Sequence, residues 1–262
     1  MAKAHGAPCW YELATAEGKL GAAEDFYGKV LGWTFRDAEM PDFDYHLAEA
    51  GGDLVAGLMV MPPDAGGMPP FWMIYFGVDD ADKAAADITA GGGRIFREPA
   101  DIPGTGRFAV VGDPQGAGFG ILQPAPMDDG SGAGHAFDQA KDGHGNWNEL
   151  MTSDPVAGFG FYAGLFGWEK ADAIDMGEMG TYQVFSHDGA QIGGMMGLGN
   201  APVPAWLPYF GTNGVEEAIA RIEAAGGRLA HGPMEVPGGA FIAVAQDPQG
   251  AWFAVVGPKQ SV

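Results

Sequence analysis

The chain has 262 residues, 47% of them hydrophobic, enough to bury one large core or two ordinary ones. Lys and Arg number 13 against 34 Asp and Glu, and the formal net charge of −21 argues against nucleic acid and anionic membrane surfaces as partners. Cys9 is the single cysteine, which excludes an intramolecular disulfide and a cysteine-based zinc site. The first residues, MAKAHGAPCW, lack the apolar core of a signal peptide, and no apolar run of 18 residues occurs. The expectation is a soluble, cytoplasmic chain.

In order along the chain, Pro8–Ala14 reads as a strand that leads into a helix over about 19–31. There Leu20, Ala23, Phe26, Tyr27, Val30 and Leu31 recur at helical spacing, and Gly32 is placed to end the helix. Strands are expected near 33–37, 44–50 and 55–60. A further strand, Phe71–Val78, enters a helix over 80–90 that stops at Gly91-Gly92-Gly93. Strands near 94–97, 107–112 and 118–123 follow, the last two joined by the turn Asp113-Pro114-Gln115-Gly116-Ala117. In that turn Pro114 fixes φ, and Gly116 permits the positive φ needed before the chain re-enters a strand. Residues 125–143, rich in Gly, Asp and Pro and without apolar period, read as a linker.

The same order then begins again. Trp10-Tyr11-Glu12-Leu13 returns as Trp147-Asn148-Glu149-Leu150, and Phe26-Tyr27 with Gly32-Trp33 returns as Phe161-Tyr162 with Gly167-Trp168. Tyr45 answers to Tyr182, Gly57 to Gly194, and Trp72 to Trp206. The turn itself recurs at Asp247–Ala251. Asp154-Pro155 reads as N-cap and first residue of the second copy's first helix, and Val215, Ile219 and Ile222 as the buried stripe of its second. The chain is a tandem duplication, with domains at 1–124 and 144–262. Each copy reads β-α-β-β-β twice, an α+β fold.

With its strand–helix unit and its Asp-Pro-Gln-Gly turn in the same order twice, the chain resembles the vicinal oxygen chelate superfamily. That group contains glyoxalase I, extradiol dioxygenases, and fosfomycin and bleomycin resistance proteins. The resemblance implies that each domain pairs two βαβββ modules into a cupped eight-stranded mixed sheet, with helices on the outer face and ligand in the concavity. It also implies metal ligands on the first, fourth, fifth and eighth strands. The matching positions here are Trp10 and Trp147, the Gly57–Met59 and Gly194–Met196 segments, Met73 and Leu207, and Gly120 and Ala254. None carries a nitrogen or oxygen side chain suited to a transition metal, so no metal and no other cofactor is expected.

What remains on the inward positions is aromatic and rich in methionine. The first copy offers Trp10, Tyr45, Met59, Met73, Tyr75 and Leu122, and the second Trp147, Tyr182, Met196, Leu207, Tyr209 and Trp252. Such walls suit a small organic molecule. Trp10 and Trp147 are either ligand contacts or core, whereas Trp33, Trp72, Trp168 and Trp206 read as core. Glu12 and Glu149 are either surface carboxylates or the one acidic group of each cup, where each would neutralise a cationic ligand or act as general base. Cys9 reads as an inert buried thiol.

The expected function is metal-independent binding of a small aromatic or cationic molecule, by a monomer with an internal pseudo-dimer or by a homodimer. A metal-independent lyase or isomerase using Glu12 or Glu149 stands as the alternative, with a metal-dependent glyoxalase I-type lyase behind it.

Overall fold

A computed structural model of the chain describes residues 5–40, 43–62, 67–125 and 135–261. The first copy contains β1 (Pro8–Thr15), α1 (Leu20–Leu31), β2 (Thr34–Asp37), β3 (Tyr45–Ala50) and β4 (Asp53–Val60). It continues with β5 (Phe71–Gly77), α2 (Ala81–Ala90), β6 (Arg94–Ile102), β7 (Gly106–Gly112) and β8 (Gly118–Pro124). The second copy has β9 (Gly145–Thr152), α3 (Pro155–Phe166), β10 (Glu169–Asp175), β11 (Thr181–His187) and β12 (Ala190–Gly197). Then come β13 (Ala205–Gly211), α4 (Val215–Ala224), β14 (Arg228–Glu235), β15 (Phe241–Gln246) and β16 (Trp252–Gly257). The strands form two eight-stranded mixed sheets, ordered β2-β3-β4-β1-β5-β8-β7-β6 and β10-β11-β12-β9-β13-β16-β15-β14.

Local chemistry accounts for the helix limits. Gly32 (φ 73°) and Gly167 (φ 72°) end α1 and α3 in the left-handed region, which a side chain would make costly by about 1–2 kcal/mol. Asp154 caps α3, its carboxylate accepting the N–H of Ala157, with Pro155 behind it. α1 buries Leu20, Ala23, Phe26, Tyr27 and Val30, as its spacing demands. In α4 the buried stripe is Val215, Ala218 and Ile222. Ile219 is only half-buried, a correction to the stripe expected from hydrophobicity alone.

The chain packs as two compact units, and each draws one module from either copy. One unit holds β6 to β8 with α2, together with β9 to β12 and α3; the other holds β1 to β4 with α1, together with α4 and β14 to β16. Within the second unit, Tyr27, Trp33 and Trp72 pack edge-on or stacked with one another, and Phe210 and Phe253 join them. Within the first, Tyr162, Trp168 and Trp206 pack in the same way with Phe76 and Phe119. The four tryptophans expected in the core are there, each 6% exposed or less. Burying a large side chain so fully stabilises by about 1.5–3 kcal/mol.

A buried tyrosine hydroxyl needs partners, and the Asp-Pro-Gln-Gly turns provide one. In the second unit the Trp72 indole donates to Tyr27 Oη (2.8 Å), which donates to Asp247 Oδ2 (3.1 Å). Asp247 Oδ1 accepts the backbone N–H of Gln249 and of Ala251. In the first unit Trp206 donates to Tyr162 Oη (3.1 Å), and that hydroxyl donates to Asp113 Oδ2 (3.1 Å). Asp113 Oδ1 accepts from Gln115, Gly116 and Ala117. The repeated turn is therefore a receptor for the tyrosine of the other copy's first helix.

Residues 126–134 of the expected linker lie outside the described residues. The following stretch packs in the second unit: Trp33 donates to the Gly143 carbonyl (2.7 Å), and Lys141 (2.7 Å) and His144 (3.2 Å) both reach Asp53. In the first unit Trp168 donates to the Gly6 carbonyl (2.8 Å) in the same manner.

Candidate functional site

The first strand of each copy pairs in parallel with the fourth, and the register sets Glu12 beside Gly57 and Glu149 beside Gly194. Antiparallel pairing of the third strand puts Tyr45 opposite Met59. Side chains alternate along a strand, so Trp10, Glu12, Tyr45, Gly57 and Met59 share one face. Tyr45 reclines over Gly57, where even a methyl group would overlap its hydroxyl, and Tyr182 does the same over Gly194. Glycine is required there by the ring above it.

That position fixes a hydrogen-bonded string. The Trp10 indole N–H donates to Tyr45 Oη at 2.9 Å, and Tyr45 Oη donates to Glu12 Oε2 at 3.0 Å. In the second copy Trp147 donates to Tyr182 Oη at 2.8 Å, and Tyr182 is hydrogen-bonded to Glu149. Burial, then the charge of the neighbouring carboxylate, pushes both tyrosine hydroxyls well above their usual range, so each remains a proton donor to its glutamate. Trp10, Glu12 and Tyr45 are each half-buried, as are Trp147, Glu149 and Tyr182. The arrangement offers an indole face and a tyrosine-anchored carboxylate.

The remaining expected residues are placed as follows. Met59 (8% exposed), Met73 (9%) and Leu207 (3%) are buried, and Met196 and Leu122 half-buried. Tyr75 lies flat over Gly120, where a methyl group would strike its ring, and Tyr209 pairs in register with Ala254. Trp252 stands 45% exposed at the start of β16. Cys9 is half-buried, its Sγ donates to the Tyr75 carbonyl (3.4 Å), and desolvation pushes its thiol up to about 12, consistent with an inert group.

A transition metal, which the family resemblance implies, does not fit these residues. The first-strand positions hold indoles already donating to a tyrosine, and the fourth-strand segments bring glycines roofed by that same tyrosine, with only leucine and methionine side chains beside them. Gly120 and Ala254 bring no donor atom, and Met73 offers only a buried thioether. Among the described residues no group of three or more His, Cys, Asp or Glu side chains converges as a metal site would require.

Sequence reasoning placed the edge strand but made it too short. The strand expected at 94–97 runs to Ile102, with register shifts on either side of Arg97. It presents Phe96 (59% exposed) against Gly112 and Arg97 over the Phe108 ring, 4.8 Å from its centroid. Phe96 matches Ala230, and Gly118 matches Trp252, so each copy supplies its exposed aromatic from a different strand. Aligning GRIFREP with GRLAHGP would have exposed the difference.

Comparison with known proteins agrees with this geometry. The family model of the glyoxalase/bleomycin resistance protein/dioxygenase superfamily matches residues 13–121 and again 146–255. A protein of Mycobacterium tuberculosis (strain CDC 1551 / Oshkosh), named "Putative glyoxylase CFP32", is 33% identical over 97% of this chain and 95% of its own. The anthracycline biosynthesis protein DauV of Streptomyces sp. (strain C5) is 31% identical over 97% and 94%. Among solved structures, the Mn(II)-bound glyoxalase from Novosphingobium aromaticivorans superposes with a TM-score of 0.67 at 16% identity, covering all of this chain and 85% of that one. Homoprotocatechuate 2,3-dioxygenase from B. fuscum gives 0.65 at 17% identity, over 95% and 70%. These two likenesses speak for the fold alone. With both repeats matched, the chain belongs to the glyoxalase/bleomycin resistance protein/dioxygenase superfamily.

Proposed function

We propose that this protein binds a small aromatic organic molecule on its sheet faces without a divalent metal. The observation that carries the reading is the Trp–Tyr–Glu string, formed in both copies where metal-using relatives of this fold would place ligands. Its indole and phenol faces give stacking surface, its carboxylate gives polarity, and Met59 and Met196 add deformable walls. One relative is named for anthracycline biosynthesis, which supports an aromatic ligand, and another as a glyoxylase, which supports the second reading below. We further propose a cytoplasmic location and domains at 1–124 and 144–262.

A second reading, a metal-independent lyase or isomerase with Glu12 or Glu149 as general base, is favoured by the tyrosine that holds each carboxylate in place. In that case Glu12→Gln or Glu149→Gln abolishes turnover of a 2-oxoaldehyde adduct while binding persists.

Calorimetric titration of EDTA-treated protein with 2-naphthoate, 2-naphthamide and 2-naphthylmethylammonium tests the binding reading. Saturable binding of at least one probe, unchanged by chelator, is expected. No saturable binding of any probe at millimolar concentration would refute it.

A further inference from the structure

The outer half of the first sheet carries a side chain that the proposed binding role has not used. Register across β5, β8, β7 and β6 sets Tyr75 beside Gly120, Gly120 beside Val110, and Val110 beside Arg97. The next row sets Leu122 beside Phe108 and Phe108 beside Ala100. Residues opposite one another in register share a face, so Arg97 stands on the same face as Tyr75, Leu122 and Phe108. Its guanidinium over the Phe108 ring, 4.8 Å away, agrees with that placement independently. Arg107, one residue before Phe108, points to the opposite face, where it binds Asp82 of α2.

Arg36, Lys83, Arg107, Lys141 and Lys259 are ion-paired with carboxylates, whereas among the described residues Arg97, like Arg94, Lys170 and Arg228, makes no ion pair. Its place over the Phe108 ring is what sets it apart on this face. In a chain of net charge −21, an exposed guanidinium without a carboxylate partner beside the apolar stretch Val110, Leu122 and Phe108 is a selective element. Neighbouring strands lie about 4.8 Å apart, so Tyr75 and Arg97 bound a strip of about 14 Å. Part of that strip is roofed by the Tyr75 ring lying on Gly120. The rest is floored by half-buried Val110, Leu122 and Phe108.

We infer that this face takes an aromatic carboxylic acid, its rings on Leu122, Val110 and Phe108 and its carboxylate on the Arg97 guanidinium. The inference rests on the proposed binding role and deepens it by naming the ligand's charge. A fork of N–H donors matches a carboxylate in two places, and the guanidinium stands over the Phe108 ring on which the ligand's rings would rest. The second copy has the corresponding row Tyr209, Ala254, Val244 and His231. Histidine there lacks the guanidinium's fork of donors, so the inference is confined to the first copy.

The test compares 2-naphthoate with its neutral isostere 2-naphthamide on the whole chain, with Arg97→Gln, Arg97→Lys and Arg97→Glu alongside. Arg97 is exposed, so the variants are expected to fold, and an unchanged far-ultraviolet circular dichroism spectrum checks this. Naphthoate is expected to bind at least tenfold more tightly than naphthamide. Arg97→Gln should remove that margin without weakening the amide, and Arg97→Lys should restore part of it. Arg97→Glu should bind 2-naphthylmethylammonium in preference to the acid. If the amide binds as tightly as the acid and Arg97→Gln changes neither, Arg97 is not the anchor, although the aromatic-binding role stands. If no probe binds at all, both fall.

Discussion

The two copies keep one set of residues and let another diverge. Trp10, Glu12, Tyr45 and Gly57 recur unchanged as Trp147, Glu149, Tyr182 and Gly194, and the bonds among them recur as well. On the edge strands Arg97 answers to His231 and Phe96 to Ala230. The difference teaches which positions are bound by geometry. A tyrosine that roofs a glycine and bridges an indole to a carboxylate admits no change in one member alone, whereas an edge residue facing solvent is open to substitution. The same contrast separates scaffold from proposed specificity: the string is shared by both copies, and under the proposal above the edge strand sets which ligand is preferred.

The deepest shared feature is the aspartate of each turn, and removing it should have the largest effect. Asp113→Ala removes the acceptor of the buried Ala117 N–H, of the half-buried Gln115 N–H and of the Tyr162 hydroxyl, while the Gly116 N–H keeps the Asp113 carbonyl, at a cost of roughly 3 kcal/mol. Asp247→Ala strands Tyr27 and the N–H groups of its own turn. Urea denaturation is expected to give similar losses for the two, and losses differing by more than about twofold would show that the copies are not equivalent here.

A smaller and more local effect is expected from Gly57→Ala and Gly194→Ala. Each methyl group displaces the tyrosine above it, and overpacking of this kind costs about 1–3 kcal/mol. Indole fluorescence should shift as Trp10 or Trp147 loses its acceptor, and an unchanged spectrum would contradict the roofing geometry.

The smallest effect is in pH dependence. Burial raises the Asp113 and Asp247 carboxyls above their usual 3.8, and the N–H and tyrosine hydrogen bonds offset part of that rise. The folded chain therefore holds these two protons to higher pH than the unfolded chain does. Their ionisation opposes folding at neutral pH, and the penalty is relieved as pH falls through the raised value toward that of the unfolded chain. Asp113→Asn removes this dependence, so wild type should gain stability relative to that variant between pH 7 and 4. A gap between them that is independent of pH would contradict the assignment.

Much of the fold was legible in the sequence because the duplication printed most of its signals twice. Gly32 and Gly167 end helices as expected, and Asp154-Pro155 caps α3. The tryptophans of the core announced themselves by recurrence. The pairing of modules across the copies was not legible. Tyr27 and Asp247 lie 220 residues apart, and nothing in periodicity links a helix to a distant turn. A clue was present, since a tyrosine on an apolar helix stripe must find an acceptor. The glutamates were identified by position, but their tyrosine partners depend on strand register, which side-chain alternation leaves free by two residues. Arg97 was hidden by strand irregularity at the edge, where an expected four-residue strand ran to nine.

The central claim is that aromatic ligand binding here proceeds without a divalent ion, because a Trp–Tyr–Glu string holds the positions a metal would need. Equilibrium dialysis of the protein against Mn(II), Ni(II) and Zn(II), with 2-naphthoate titrated before and after loading, tests it most directly. The account predicts no stoichiometric metal retention and the same naphthoate affinity in both states. One tightly held ion per copy, lost in Glu12→Gln or Glu149→Gln and required for naphthoate to bind, would contradict it.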